Sequence, residues 1–417
     1  MLQKFRVHLL ITILILIAGA MVPVSAATGL AVDWKEHPME GNIFSGVTFS
    51  ADSSIVYAGG SKMLLRSWTG DRKWGGKAGW AAAMSPDSNF VISGNGNSVV
   101  MYDRDGIDLW TRNFNRDVRA VAISPDDSFI VEEDDSGMIQ SWAKNGDFIG
   151  RNATFPLVKS LSISPDGNFV VAATDEGLKF LTPAMNLIWE DTKNGSWDSF
   201  IAISDDGSTV ITAGGTRVSS HTSWGRLNWM KDFSASAITD MACSADCAVI
   251  VIGSQDGKVQ VINRYGMERW DFSDGQWVNA VGVSRNGQEI AVGSLDKTLS
   301  VLDGSGNVLT RVKTDAIIQP RSVAVNGDGS RIAVADELTL YGYEVIQAPE
   351  PTLPTSQPTL RPTGQVVTVK TSLPVTTQPM ETQAETPAPA PTKSGPGPGI
   401  PVVAAAAIVL VLAGRKT

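Results

Sequence analysis

A single turn phrase, worn but recognisable, returns eight times along the 417 residues. It is clearest as SPDGNFVVAAT at Ser164 and SPDSNFVISGN at Ser85. Further copies begin at Ser50, Ser124, Ser204, Ser244, Ser284 and Asn326, so successive steps are 35, 39, 40, 40, 40, 40 and 42 residues. A period this steady is the mark of a repeat architecture, and the whole fold follows from it.

Each repeat has the same grammar. A short apolar stretch such as VRAVAI or VNAVGV leads into Ser-Pro-Asp-Gly or a relative. That is turn chemistry: Pro presets φ, Asp bonds nearby backbone, and Gly accepts positive φ. A β-branched stretch follows, then a second turn (SQDGK, TDEGL), then an alternating stretch such as KVQVINR. A fourth stretch ends the unit, often on Trp. Four short strands every 40 or so residues, with no helical period, predict an all-β protein whose repeats are blades of a β-propeller. Eight blades are expected, or seven if one worn unit is not a blade.

The fourth strand has its own signature, Gly and then Trp four residues later. Gly70–Trp74, Gly106–Trp110, Gly225–Trp229 and Gly266–Trp270 follow it, and Met185 replaces Gly before Trp189. Two repeats have lost the Trp, to Gly150 and Thr310. Inter-blade packing of these large rings is the expected role. The last repeat, residues 320 to 346, lacks a fourth strand. TGLAVDWKEHP near the N-terminus carries Trp34 at the matching place, so Leu30 to Lys35 is expected to complete that blade and close the ring without an open edge.

VGSLDKTLSVLDGSG and IGSQDGKVQVINRYG resemble the second half of a WD repeat, with Leu302-Asp303 or Ile262-Asn263 where Trp-Asp would stand. YDRDGIDLW is similar to the tryptophan-docking repeats of quinoprotein (PQQ-type) propellers. The resemblance spans roughly residues 28 to 346. It implies a fold and leaves function open, because propellers host many unrelated roles.

Both ends of the chain read differently. Lys4, Arg6 and His8 precede an apolar run and the small-residue stretch VPVSAATG, the pattern of a secretory signal peptide over residues 1–26. Residues 347–398 hold more than half of the 21 prolines, interleaved with Thr, and are expected to form an extended stalk. Residues 399–417 end in an apolar run followed by Arg415 and Lys416. That layout is similar to the sorting or anchor segments of archaeal surface proteins, and it implies attachment to the cytoplasmic membrane with the propeller outside. The net charge of −9, with Lys and Arg scattered, argues against nucleic acid as a partner.

Candidate sites are few. Trp80, Trp197 and Trp277 precede inner strands at similar offsets and should share one face, where they could stack on sugars or peptide side chains, or simply pack under their loops. Asp103, Asp105 and Asp108 could gather oxygens round Ca²⁺, or form an acidic turn. The run Glu132 to Gly137 (EEDDSG) reads as a solvated turn, with ion binding as the alternative. Asn152 and Asn194 head N-glycosylation sequons. Cys243 and Cys247 are close enough for a disulfide across one tight hairpin, or are two inert thiols. No nucleophile–base constellation is identifiable. The expected function is non-catalytic: an exported, surface-anchored binding or scaffolding module for surface proteins or envelope polysaccharide, with no cofactor required. An extracellular quinoprotein-like oxidoreductase is the alternative, which keeps PQQ and calcium open.

Overall fold

The computed structural model describes residues 29–346, except 38–43, 70–71, 80, 154, 156, 193–198, 234–235 and 274. The expected signal peptide, stalk and anchor lie outside the described residues, as do Trp80, Trp197 and Asn194.

The recurring phrase folds as a self-capped turn. In the copy at Ser164 the Gly167 N–H donates to the Ser164 carbonyl at 2.9 Å, and the Phe169 N–H donates to Ser164 Oγ at 3.0 Å. Asp166 Oδ1 accepts from Ser164 Oγ at 2.6 Å and from the Asn168 N–H at 3.1 Å. The fourth turn residue is left-handed in all eight copies, yet it is Gly in only four, at 167, 207, 287 and 329. Ser53, Ser88, Asp127 and Cys247 take the same conformation at φ of 59°, 62°, 58° and 51°. The side-chain caps hold the turn shape where glycine is missing.

Each turn joins the two innermost strands of an antiparallel sheet, and there are eight sheets. The fourth blade is typical: Val158–Ile163, Val170–Thr174, Gly177–Leu181 and Leu187–Asp191, paired in that order. The described residues contain no helix, and so none long and apolar enough to cross a membrane. The first blade departs from the pattern, with three strands instead of four: Phe44–Phe49, Ile55–Ser67 and Arg72–Gly79. The Trp68 N–H nevertheless donates to the Ser54 carbonyl at 2.7 Å. A straight 13-residue strand would hold its ends about 40 Å apart. The long strand therefore doubles back and does the work of two.

The ring closes as expected. Gly29–Glu36 pairs antiparallel with Leu340–Ile346, and Trp34 stands opposite Gly342. A register irregularity falls one residue before Trp34. The same irregularity precedes the equivalent position of every other outer strand, Gly150 and Thr310 included. A bulge there turns the following side chain toward the next blade.

Burial follows the seams. The buried apolar residues form eight clusters, each shared by two neighbouring blades; one joins Val251, Val259 and Val261 of the sixth blade to Val278, Val281 and Val292 of the seventh. The Gly-to-Trp signature locks these seams. A Cβ on Gly106 would lie 2.7 Å from the Trp74 ring, one on Gly266 2.9 Å from Trp229, and one on Gly306 2.8 Å from Trp270. The indole N–H groups of Trp74, Trp110, Trp229 and Trp270 donate to carbonyls of the same turns, at 3.0, 2.9, 2.8 and 3.1 Å. In blades two, three, five, six and seven the turn glycine thus receives the tryptophan of the blade before it.

Candidate functional site

The inner strands surround a central channel that encloses a cavity of about 310 Å³. Strands alternate in direction, so the Ser-x-Asp turns share one face with the third-to-fourth turns. The loops between blades share the other face with the second-to-third turns. On the Ser-x-Asp face the second turn residue borders the channel mouth. There the Asp205 N–H donates to the Ala245 carbonyl at 2.7 Å, Ala245 to Arg285 at 3.0 Å, and Arg285 to Gly327 at 3.1 Å. Blades two to four carry Pro86, Pro125 and Pro165 at this place and have no N–H to continue the relay. The Arg285 guanidinium also pairs with the Asp205 carboxylate, spanning from the seventh blade to the fifth. Burial raises the Asp205 pKa, and Arg285 opposes that rise.

Deeper in the channel the last blade is irregular. Its inner strand, Ile318–Val325, loses register between Ile318 and Val323, which absorbs the longer 42-residue step. Arg321 sits in this bulge at φ 59°, a conformation that costs a non-glycine residue about 1 kcal/mol. Its guanidinium donates to the Ser199 carbonyl at 3.3 Å and lies 4.6 Å from the centre of the Phe200 ring, both on the fifth blade. Asp240, on the sixth blade, is 6% exposed. Its two oxygens accept the N–H groups of Met241 and Val281, each at 2.9 Å. Burial pushes the Asp240 carboxyl up to about 6, against the Val281 N–H and Arg321, which favour the anion. Burial likewise lowers the Arg321 pKa, and Asp240 opposes it. Sequence reasoning missed this pair. Its signals were the 42-residue step and a lone acid in the apolar strand ITDMAC.

Among the residues singled out from sequence, Trp277 stands in a loop between blades, 47% exposed, and its carbonyl accepts the Leu295 N–H at 2.8 Å. Leu295 and Leu338, in the second-to-third turns of the seventh and eighth blades, are 37% and 59% exposed on the same face. The corresponding turns of blades two to six carry Asn97, Ser136, Glu176, Thr216 and Asp256.

Of the two readings left open for Asp103, Asp105 and Asp108, the geometry favours the acidic turn. Asp103 Oδ1 caps its own turn, accepting from the N–H groups of Asp105 at 2.9 Å and Ile107 at 2.8 Å. Asp105 and Asp108 are exposed, and among the described residues no three acidic, His or Cys side chains converge on a metal position. The solvated-turn reading of Glu132 to Gly137 holds for the turn at Asp135 and Ser136, which are exposed, and is corrected for Glu132, Glu133 and Asp134. Glu132 and Glu133 are fully buried and Asp134 is 4% exposed, all inside the strand Phe129–Asp134. Asn152 donates its side-chain amide to the Met185 carbonyl at 3.1 Å, across the contact of blades three and four. Cys243 and Cys247 are joined in a disulfide, with Cα atoms 5.0 Å apart across a Ser-x-Asp turn.

A family model described as a β-propeller protein matches residues 182–302. No curated protein matches the sequence. Among solved structures, the C-terminal WD40 domain of Sif2 superposes with a TM-score of 0.64 at 16% identity, covering 76% of this chain and 99% of that one. The computationally designed Ika8 protein gives 0.63 at 18% identity, over 73% of this chain and 96% of its own. Chaetomium thermophilum Sqt1, bound to the N-terminus of ribosomal protein L10, gives 0.61 at 14% identity, over 73% and 97%. Identities this low speak for fold alone, and together with the geometry they show that the chain is a β-propeller similar in build to WD-repeat propellers.

Proposed function

We propose that the protein is an exported, surface-anchored and non-catalytic binding module, which uses one face of its propeller to hold a surface protein or an envelope polysaccharide. The observation that carries this reading is the exposure of three large apolar side chains, Trp277, Leu295 and Leu338, on one face of adjacent blades. Exposed aromatic and aliphatic groups clustered on one face are the usual anchors of a binding surface. A WD-repeat-like structure similar to this one was solved with a protein segment bound, which supports a protein as the partner class. The channel side chains suit this role, since Asp240, Arg285 and Asp205 are engaged with neighbouring backbone or with each other.

The test uses the mature chain immobilised against isolated surface proteins and envelope polysaccharide. Trp277→Ala and Leu338→Asp should each weaken capture of a bound component at least tenfold, with unchanged melting temperature. Undiminished capture by both variants overturns the assigned face. An absorption band beyond the protein envelope in the native material, together with turnover of an electron acceptor, overturns the non-catalytic reading in favour of a quinoprotein-like enzyme.

A further inference from the structure

The seam between the third and fourth blades breaks the rules that the regular seams keep. The tryptophan that should cross it is Gly150, and the glycine that should receive it is Met185. Met185 is 1% exposed and packs in the cluster shared by these two blades. The Ala184 carbonyl oxygen lies 2.2 Å from where a Cβ on Gly150 would be, so the turn of the fourth blade rests directly on the strand of the third. No indole is available here to donate across the seam. Its place is taken by Ser141 Oγ, which donates to the Pro183 carbonyl at 2.6 Å, and by the Asn152 amide already described.

A second departure lies at the channel side of the same seam. Glu133 pairs with Ala120 of its own inner strand. The residues in equivalent registers are Gly59, Gly94, Gly253 and Gly293 in four blades, and Ala173 and Ala213 in two more. The reason for small residues is visible at the glycines. A Cβ on Gly94 would lie 2.7 Å from Val118 of the next blade, one on Gly253 2.6 Å from Val278, and one on Gly293 2.7 Å from Ile318. Only in the third blade does a long acid occupy the place where the next blade comes closest.

Glu133 is fully buried, and neither of its carboxylate oxygens has a hydrogen-bond partner. It faces the backbone N–H of Val158 on the fourth blade, Arg119 on its own inner strand, and the acids Glu132 and Asp134 beside it. Lys159, next after Val158, is paired with Asp175 at 2.8 Å. Glu132 accepts from Gln140 Nε2 at 2.7 Å through one oxygen, and its other oxygen has no partner.

We propose that the joint between blades three and four is a proton-operated seam, closed while Glu133 is neutral and parted when it ionises. A buried carboxylate short of donors is costlier than a buried carboxylic acid, and at this joint no tryptophan lock opposes parting. Burial pushes the Glu133 carboxyl up to about 9, with Arg119 opposing, and pushes Glu132 up to about 8. Both values lie above those of the unfolded chain. The seam is therefore strongest below the ordinary glutamate range and weakens as pH rises through about 8 to 9.

Hydrogen exchange of the full mature chain, corrected for the intrinsic pH dependence of exchange, reads this joint directly. Between pH 6 and pH 9, protection of Phe129–Asp134 and Val158–Ile163 should fall at least tenfold more than that of Ile250–Ser254 and Val278–Val283, the same strands of a regular seam. Glu133→Gln, which keeps the shape and cannot ionise, should abolish the difference. Glu133→Ala, the residue that three other blades carry at the same distance from the turn, should do the same and guards against a misfolded Gln variant. Equal loss of protection at both seams, or an unchanged difference in both variants, overturns the proposal.

Discussion

The seam between blades six and seven and the seam between blades three and four solve one packing problem in opposite ways. At the first, Trp270 lies on Gly306, and its indole N–H reaches the Gly304 carbonyl. Gly253 lets Val278 approach without a clash. At the second, the large side chain has moved to the other partner: Met185 fills from one blade the space that a Trp would fill from the other, and Gly150 makes room. The donor of the filling side chain is exchanged, and because methionine is smaller than tryptophan the Ala184 carbonyl closes in on Gly150. The lesson is that a worn repeat is not a failed repeat. Its two substitutions compensate each other across a seam, which only the pairing of blades can reveal.

Thr310 teaches the complement. It too replaces a Trp, but the turn that would receive its side chain does not exist. Blade eight is assembled from Leu340–Ile346 and Gly29–Glu36, with no covalent turn between them. No glycine waits there for an indole to cover.

The largest break in this comparison should come from moving the methionine solution to a regular seam. Gly225 holds φ 78°, and a Cβ would lie 2.1 Å from Trp189. Gly225→Met is expected to cost more than about 4 kcal/mol and to prevent cooperative folding, seen as loss of the thermal transition. Trp270→Ala should cost about 3 kcal/mol through a cavity and an unmet Gly304 carbonyl, measured by denaturant unfolding. Met185→Ala empties the exchanged position and should cost about 2 to 3 kcal/mol by the same measurement. Adding Gly150→Trp to it should not restore stability, because the Ala184 carbonyl occupies that place. The smallest effect should come from outside both seams. Reducing Cys243–Cys247 opens a loop of only a few residues, so the loss should be at most about 2 kcal/mol, read as a small drop in melting temperature with reductant.

Much of the fold was legible because its signals are local and repeated eight times. The Ser-x-Asp turns, the alternating strands and Trp34 in the N-terminal strand all announce themselves within a few residues, and each does the work expected of it. The candidate site was far less legible. Trp277 was found because an exposed aromatic in a loop stands out. Leu295 and Leu338 were not, since a single leucine in a turn carries no signal until the fold puts it on a face. The acids were the hardest residues to place. Asp103, open between ligand and acidic turn, caps its own turn. Glu132 and Glu133 looked like solvated turn residues and lie inside the ring, because a strand that is buried on both faces hides whatever residues it carries.

Period, strand count, turn chemistry and the strand that closes the ring were determined by the sequence alone, through backbone preferences that act over a few residues. Which residue meets which across a seam, that Arg321 spans the channel to the fifth blade, and that Glu133 is shut away from water were decided only by the tertiary structure. Those facts depend on groups tens to hundreds of residues apart in the chain, and closing the ring is what brings them together.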